Sequence, residues 1–193
     1  AWSLAAWAIT GLGICLSWMA SLSWAQWSAP AAPLWMGLLS IAGMFVFAMP
    51  VAWWWRLSGA LCIWPVLNWQ TPRPPYGEFE IIGADMGQGH AVLVRTSSKS
   101  LLYDTGPRYS PETDAGQRVL VPLLVALGER LDRVVISHQD SDHSGGANSV
   151  LKMQPQADVL TSIPSNHLLR TTHPMQTCTA GQQWQWDGVY FSV

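Results

Sequence analysis

The chain has 193 residues, ten basic and twelve acidic, for a formal net charge of −2. It is 49% hydrophobic and only 11% charged, which excludes a disordered chain lacking the apolar surface to fold. Mild acidity gives no overall electrostatic footprint for nucleic acid, although an average can conceal a local patch.

The charges are spread unevenly. From Ala1 to Trp69 the only charged residue is Arg56, and eleven of the thirteen tryptophans lie there. A soluble core does not leave so long a leading stretch uncharged; a membrane segment does, because a charge in hydrocarbon costs several kcal/mol. Ala1 to Ala25 is one apolar run broken only by Ser, Thr and Gly. At ~1.5 Å per residue it can cross a hydrocarbon layer of about 30 Å. A secretory signal peptide fits it poorly, since no basic region precedes it and a second long apolar run follows.

Gln26 to Pro33 predicts a short turn with an interfacial Trp27 and helix-stopping prolines. Leu34 to Trp55 predicts a second span, closing on Trp53-Trp54-Trp55-Arg56, an aromatic-plus-basic membrane boundary. Leu57 to Trp69 contains Pro65 and predicts an interfacial or re-entrant piece, or the end of a third span that begins near Val51 with Arg56 snorkelling. One Arg assigns no orientation across the bilayer. Opening on Ala rather than Met, the chain is expected to be a piece of a longer protein. The scattered Cys15, Cys62 and Cys178 give no disulfide framework.

Residues 70–77 contain Thr71-Pro-Arg-Pro-Pro75, which predicts a stiff, extended linker. From Gln70 to Val193 the chain holds nine basic and twelve acidic residues. Glu78 to Asp85, His90 to Thr96 and Ser100 to Asp104 predict strands, the first two joined by the glycine turn Met86-Gly-Gln-Gly89. Asp114 caps a predicted helix that runs to Leu127 and ends at Gly128. A strand over Arg133 to Ile136, a helix over Ala147 to Met153, and strands over Asp158 to Thr161 and Gly188 to Val193 follow. Strands first, then strand and helix alternating, predict an α/β sandwich with helices outside.

The densest chemistry is Ser137-His-Gln-Asp-Ser-Asp-His-Ser-Gly-Gly146, directly after the β-branched run Leu131 to Ile136. His138, Asp140, Asp142 and His143 are four potential metal ligands within six residues. Asp, Ser and Gly are also ordinary turn residues, but two His and two Asp at this density after an apolar strand favour a metal site. Imidazole with carboxylate suits Zn²⁺, Mn²⁺ or Fe²⁺ better than soft, thiophilic ions.

These residues resemble the metallo-β-lactamase fold superfamily, whose signature is His-x-His-x-Asp-His at a strand end. More closely they resemble the ComEC-type DNA internalisation proteins of bacterial competence. Asp85-Met-Gly-Gln-Gly89 is similar to that family's Asp-Val-Gly-Gln-Gly turn, Leu101-Leu-Tyr-Asp-Thr-Gly106 to its strand ending in Asp-Thr-Gly, and Ser137 to Gly146 to its ligand loop. The Trp-rich stretch over 1–69 is similar to the end of its membrane channel domain.

The resemblance implies N-terminal transmembrane helices followed by the first half of an αββα sandwich over 78–193. It implies that His138 and Asp140 bind one divalent ion and that Asp142 and His143 bind another, or that Asp142 positions a water nucleophile. Asp104 supports the site by hydrogen bonding, and Asp85, Gly87, Gln88 and Gly89 line the cleft. His90 stands where an Asp or a small residue is usual and reads as a surface residue at a strand start. The family's further ligands are expected downstream, and His167 and His173 read as loop residues outside the site. The ions implied are two of Mn²⁺, Zn²⁺ or Mg²⁺, and the Asp140 carboxylate tilts the choice towards Mn²⁺ or Mg²⁺.

The implied function is part of a membrane DNA uptake channel for natural transformation, with a metal-dependent nuclease acting on the strand that is not imported. The alternatives are a non-catalytic DNA-binding or transport component, and a membrane-tethered metallohydrolase of another substrate. The implied setting is the bacterial inner membrane, crossed several times, with the hydrolase domain on the periplasmic side. Single-stranded DNA, membrane lipid, other competence proteins and a second copy of the chain are the implied partners.

Overall fold

The computed structural model describes residues 2–22 and 29–193. Part of the expected Gln26–Pro33 turn therefore lies outside the described residues. Helix α1, Trp2–Ala20, has no buried residue. Among the described residues it is the one helix long and apolar enough to cross a membrane, by length and composition alone.

The expected second span is not one helix. Helix α2, Leu34–Ala48, stops where Met49 turns extended ahead of Pro50, because proline's ring disfavours the helical conformation in the residue before it. Helix α3, Trp53–Leu61, and the short α4, Trp64–Leu67, follow as separate pieces. A third span from Val51 is likewise absent among the described residues. Instead α2 and α3 form a tight hairpin. A Cβ at Gly43 would lie 2.4 Å from the Gly59 carbonyl, so glycine is required for this approach. Arg56 donates from Nε to the Phe47 carbonyl at 3.0 Å and lies 5.2 Å from the Phe47 ring, covering the end of α2.

The polar half is an α/β domain on a mixed sheet. Strands β1 (Glu80–Gly83), β2 (Val92–Arg95), β3 (Ser100–Tyr103), β4 (Arg133–Ile136), β5 (Asp158–Thr161) and β6 (Gln176–Thr177) lie in chain order across one six-stranded sheet. The first two pairings are antiparallel and the rest parallel. Register aligns Ile82, Leu93, Leu102, Val134 and Val159 in one row. Side chains alternate faces along a strand, so this row builds the core against Leu120, Leu124, Val150 and Leu151 from the helices.

Those helices are α5 (Val121–Leu127), entered through a π-helical turn over Gly116–Leu120, and α7 (Ala147–Met153). The helix predicted from Asp114 thus starts as a wider turn. Asp114 still caps it, accepting from the Gln117 amide at 2.8 Å, and Gly128 closes it in the left-handed conformation. The opposite sheet face, with Leu101, Val135 and Leu160, is covered by the hairpin of β7 (Gln183–Trp186) and β8 (Val189–Ser192). The second sheet of the expected sandwich is this two-stranded hairpin. β6 and the helix α8 (Leu168–Thr172) carry too few residues to show a period, whereas the strict alternation Gln-Trp-Gln-Trp of the hairpin's first strand is a strand signal that went unread.

The proline-rich stretch is pinned rather than free. Arg73 is ion-paired with Glu129, and Arg95 donates to Glu129 at 2.7 Å, to Glu80 at 2.6 Å and to the Pro72 carbonyl at 3.2 Å. Arg95 and Glu129 side chains are only 2% and 1% exposed. A buried charge is tolerable only when paired, so this network welds residues 72–73 to the sheet and to the end of α5. Beside this network, where Arg73 also donates to the Thr96 carbonyl at 3.1 Å, Asp187 in the β7–β8 turn accepts from Thr96 Oγ1 and the Ser98 amide, each at 2.7 Å.

Glu129→Ala removes the buried carboxylate that Arg95 and Arg73 share, leaves Arg95 only the half-exposed Glu80 and the Pro72 carbonyl, and is expected to destabilise the domain by roughly 3 kcal/mol. Hydrogen exchange across β2 and β3 should accelerate accordingly; unchanged protection would contradict this account. The Asp187 carboxyl is held down from 3.8 to about 2, first by the Thr96 hydroxyl, against desolvation, and with help from Ser98. Its folded pKa lies below its unfolded one, so its contribution is present above about pH 4 and fades as pH falls towards 2. NMR titration of the Asp187 carboxyl should show that midpoint.

Candidate metal centre

The parallel pairing of β3 with β4 sets the site. Tyr103 stands opposite Val135, so Asp104 and Ser137 leave adjacent strand ends on the same edge of the sheet. Asp104 is fully buried and has a positive φ of 58°. Aspartate is one of the few residues that tolerates this conformation, and a strained residue beside ligand-type side chains marks a functional position. Its Oδ1 accepts from the Ser137 amide at 2.8 Å. Its Oδ2 faces Ser137 Oγ at 2.9 Å and His143 Nδ1 at 2.7 Å.

The ligand run is not a plain loop. After Asp140 it winds into a helical turn, α6, Ser141–Ser144. The turn folds His143 back over His138, with ring centroids 4.0 Å apart. Two further contacts hold it down. Thr105 donates from its amide and its hydroxyl to the His143 carbonyl, at 2.7 and 3.0 Å. Gly146 lies so close to the Asp104–Gly106 segment that a Cβ would sit 2.3 Å from the Thr105 carbonyl. The glycine pair ending the run is therefore a packing requirement.

A proton count fixes both imidazoles. The Ser137 hydroxyl has one proton, which it gives to the Asp104 carboxylate, so it must accept from His138 Nδ1 at 2.8 Å. His143 Nδ1 must likewise be the donor to Asp104, since a carboxylate only accepts. Both rings thus carry a proton on Nδ1, and in its neutral form each keeps an Nε2 lone pair. Carboxylate or hydroxyl support behind a histidine is the usual outer shell of a metal ligand.

Three residues converge. One ligand atom each from His138, Asp142 and His143 lies within 4.8 Å of the others, and His143 Nε2 is 3.5 Å from Asp142 Oδ2. Asp140 lies outside that group, 3.4 Å from His138 Nε2 and largely exposed. The resemblance implies His138 with Asp140 and Asp142 with His143; the geometry gathers His138, Asp142 and His143 most tightly, with Asp140 beside His138. Two imidazole nitrogens and a carboxylate, with the outer shell in place, fit a divalent cation of borderline hardness.

Around this group, Gly89 packs against the Asp142 carbonyl, where a Cβ would come within 2.7 Å. Asp85 turns into its own loop, accepting from the Gly87 amide at 3.3 Å; Gly87 and Gln88 are exposed at the turn's tip. His90 is exposed, as a surface residue would be, and it also flanks the group. Its amide donates to the Asp142 carbonyl at 3.2 Å, and its ring lies 5.1 Å from that of His143. Ser137 is the participant the sequence did not single out, and its only signal was its place immediately before His138. His167 caps α8 by accepting from the Leu169 amide, and His173 faces Asn148, so neither joins the group.

Residues 84–159, from the start of the glycine turn through the ligand run into β5, match the family model described as Metallo-beta-lactamase superfamily. The polar half therefore carries a metallo-β-lactamase domain. The chain is 34% identical over 177 residues to Competence protein ComA of Neisseria gonorrhoeae, an alignment covering 91% of this chain and 24% of that protein. It is 33% identical over 133 residues to Recombination protein 2 of Haemophilus influenzae, covering 69% and 16%. It is 34% identical over 146 residues to the protein YcaI of Escherichia coli, covering 72% and 18%. The chain is a distant homologue of the ComA/ComEC-type competence proteins and spans about a fifth of the length of these relatives.

Nitrogen-15 NMR of the histidine rings tests the proton count. His138 and His143 should both be Nδ1–H tautomers. Asp104→Asn keeps a residue tolerant of positive φ but gives up a carboxylate oxygen, and should shift the His143 tautomer equilibrium. An Nε2–H signature for His143 in the unsubstituted protein would contradict the arrangement.

Proposed function

We propose that this chain is part of a membrane DNA uptake protein of natural transformation, and that its domain over 78–193 is a metal-dependent nuclease acting on the strand that is not imported. The observation that carries the reading is the pair of imidazoles held from behind by Asp104 and Ser137, with Asp142 beside them. Homology to a competence protein across most of the chain supports the setting. In this reading residues 1–69 are membrane helices at the end of a channel domain, with 70–77 joining them to the nuclease. The protein sits in the bacterial inner membrane with the nuclease on the periplasmic side, among other competence proteins.

His138, Asp142 and His143, with Asp140 at the rim, hold divalent ions, two in the complete domain, drawn from Mn²⁺, Zn²⁺ or Mg²⁺. When bound, such ions supply the positive charge that steadies a phosphodiester and lowers the pKa of water. The chain's own groups do the rest. Asp104 and Ser137 hold the two rings in the ligand tautomer, so no reorganisation is needed when the ion arrives. The half-exposed Asp142 orients the attacking water and accepts its proton. The water oxygen bonds to phosphorus as the bond from phosphorus to the leaving sugar oxygen breaks, and that oxygen takes a proton from solvent while the Asp142 carboxyl gives up the one it received. The Asp140 carboxylate makes its side of the centre harder and tilts the choice towards Mn²⁺ or Mg²⁺.

The full-length protein with Mn²⁺ should cleave labelled single-stranded DNA. His138→Ala and Asp142→Ala should lower the rate by at least the roughly 10–100-fold that outer-shell substitutions cost a metal site. No cleavage by the unsubstituted protein, or equal cleavage by these variants, would remove the nuclease reading. Ser137→Ala is expected to weaken metal affinity by roughly 10-fold or more in competition with a chelator. A reporter fused after Pro75 should be active only on the periplasmic side.

A further inference from the structure

We propose that Tyr109, backed by Arg118 and flanked by Arg108, is a nucleobase-stacking subsite that receives single-stranded DNA at the rim of the metal centre. The proposal rests on the nuclease reading for the identity of the strand. Its geometry stands separately.

The loop after Asp104-Thr-Gly106 is rigidly built. Arg108 and Asp114 bridge its base, the amides of Tyr109 and Ser110 both donate to the Thr113 carbonyl at 3.0 Å, and Asp114 Oδ2 accepts from Ser149 Oγ at 2.7 Å. The Tyr109 hydroxyl donates to the Met86 carbonyl at 2.8 Å, so its ring is fixed at both ends. The ring spans from this loop to the glycine turn whose Gly89 rests on Asp142. The Arg108 amide, in turn, lies 3.4 Å from Ser141 Oγ, one residue from Asp142.

A tyrosine that only clamps two loops would gain by burying its ring. Tyr109 stays 43% exposed, and the Arg118 guanidinium lies over the ring, 5.7 Å from its centroid. Arg118 and Arg108 are themselves exposed, and Arg108 has spent one donor on the Pro111 carbonyl. The nearby acids are each engaged by the loops themselves: Glu112 by the Ser110 hydroxyl at 3.0 Å, Asp114 by the Gln117 amide and the Ser149 hydroxyl, and Asp85 by the Gly87 amide.

A planar ring, a guanidinium that adds cation–π character, and a second cation for the backbone are what sequence-tolerant single-strand binding uses. The domain is acidic on average, so this local patch answers how it can bind a polyanion at all. Duplex DNA keeps its bases stacked on each other and offers no face to such a ring. Every base has a π-face, so the subsite should not read sequence.

The test uses the full chain in detergent with EDTA, so that binding is measured without cleavage. The probes are fluorescent oligothymidylate and an abasic strand of equal length. The unsubstituted protein should prefer oligothymidylate. Tyr109→Ala should lose about fivefold or more of that affinity and bind both strands alike. Tyr109→Phe, which keeps the ring, should retain the preference, and Arg118→Gln should weaken it. The histidine tautomer signals confirm that each variant is folded. Equal binding of both strands by the unsubstituted protein, or a preserved preference in Tyr109→Ala, would overturn the subsite. A protein that prefers bases but never cleaves with Mn²⁺ would overturn the nuclease reading and leave the subsite standing.

Discussion

The Asp104 carboxylate is the constraint on which the site depends. It is buried at a strand end in a conformation few residues accept, and it receives an amide, a hydroxyl and an imidazole. Those three bonds turn a neighbouring strand end into a ligand platform. The amide bond anchors the start of the run, the hydroxyl bond determines what Ser137 can offer His138, and the imidazole bond sets the tautomer of His143. A buried carboxylate without such donors would be costly. The bonds that make Asp104 tolerable are the same ones that leave two Nε2 lone pairs free.

The fold supplies the rest of that precision. Parallel pairing of β3 and β4 brings the first residues past their ends, 104 and 137, within hydrogen-bond reach, and the row of apolar residues below them fixes the register. Glycine then lets the ligand run lie directly on the Thr105 carbonyl. At the other end of the sheet, the Arg95–Glu129–Arg73 network fastens the segment arriving from the apolar half. The Ala31 amide also donates to the Ala126 carbonyl at 2.7 Å, at the end of α5. The apolar half and the catalytic-type domain are thus held at two points, one on each side of Gly128.

The sequence disclosed this arrangement unevenly. Strands β2 to β5 and the ligand run were legible because β-branched runs bounded by turn residues carry their own signal. The helical turn inside the ligand run was not, since four residues hold no periodicity. Met49-Pro50 was the overlooked breaker inside a hydropathy-defined span, where composition masked local backbone chemistry. His90 is the surface residue it read as, but its closeness to His143 was hidden because the two meet only through the fold. Ser137 and Tyr109 were invisible for a related reason: a serine or tyrosine gains its role from the groups that the tertiary structure brings within hydrogen-bond reach.

X-ray absorption spectroscopy of the metal-loaded full-length protein tests the central claim most directly. A centre built on His138 and His143 through Nε2, with Asp142, predicts a shell of nitrogen and oxygen only. It also predicts outer scattering from at least two imidazoles, reduced when either histidine is replaced. A shell containing sulfur, or one whose imidazole scattering is unchanged in His138→Ala and His143→Ala, would contradict it.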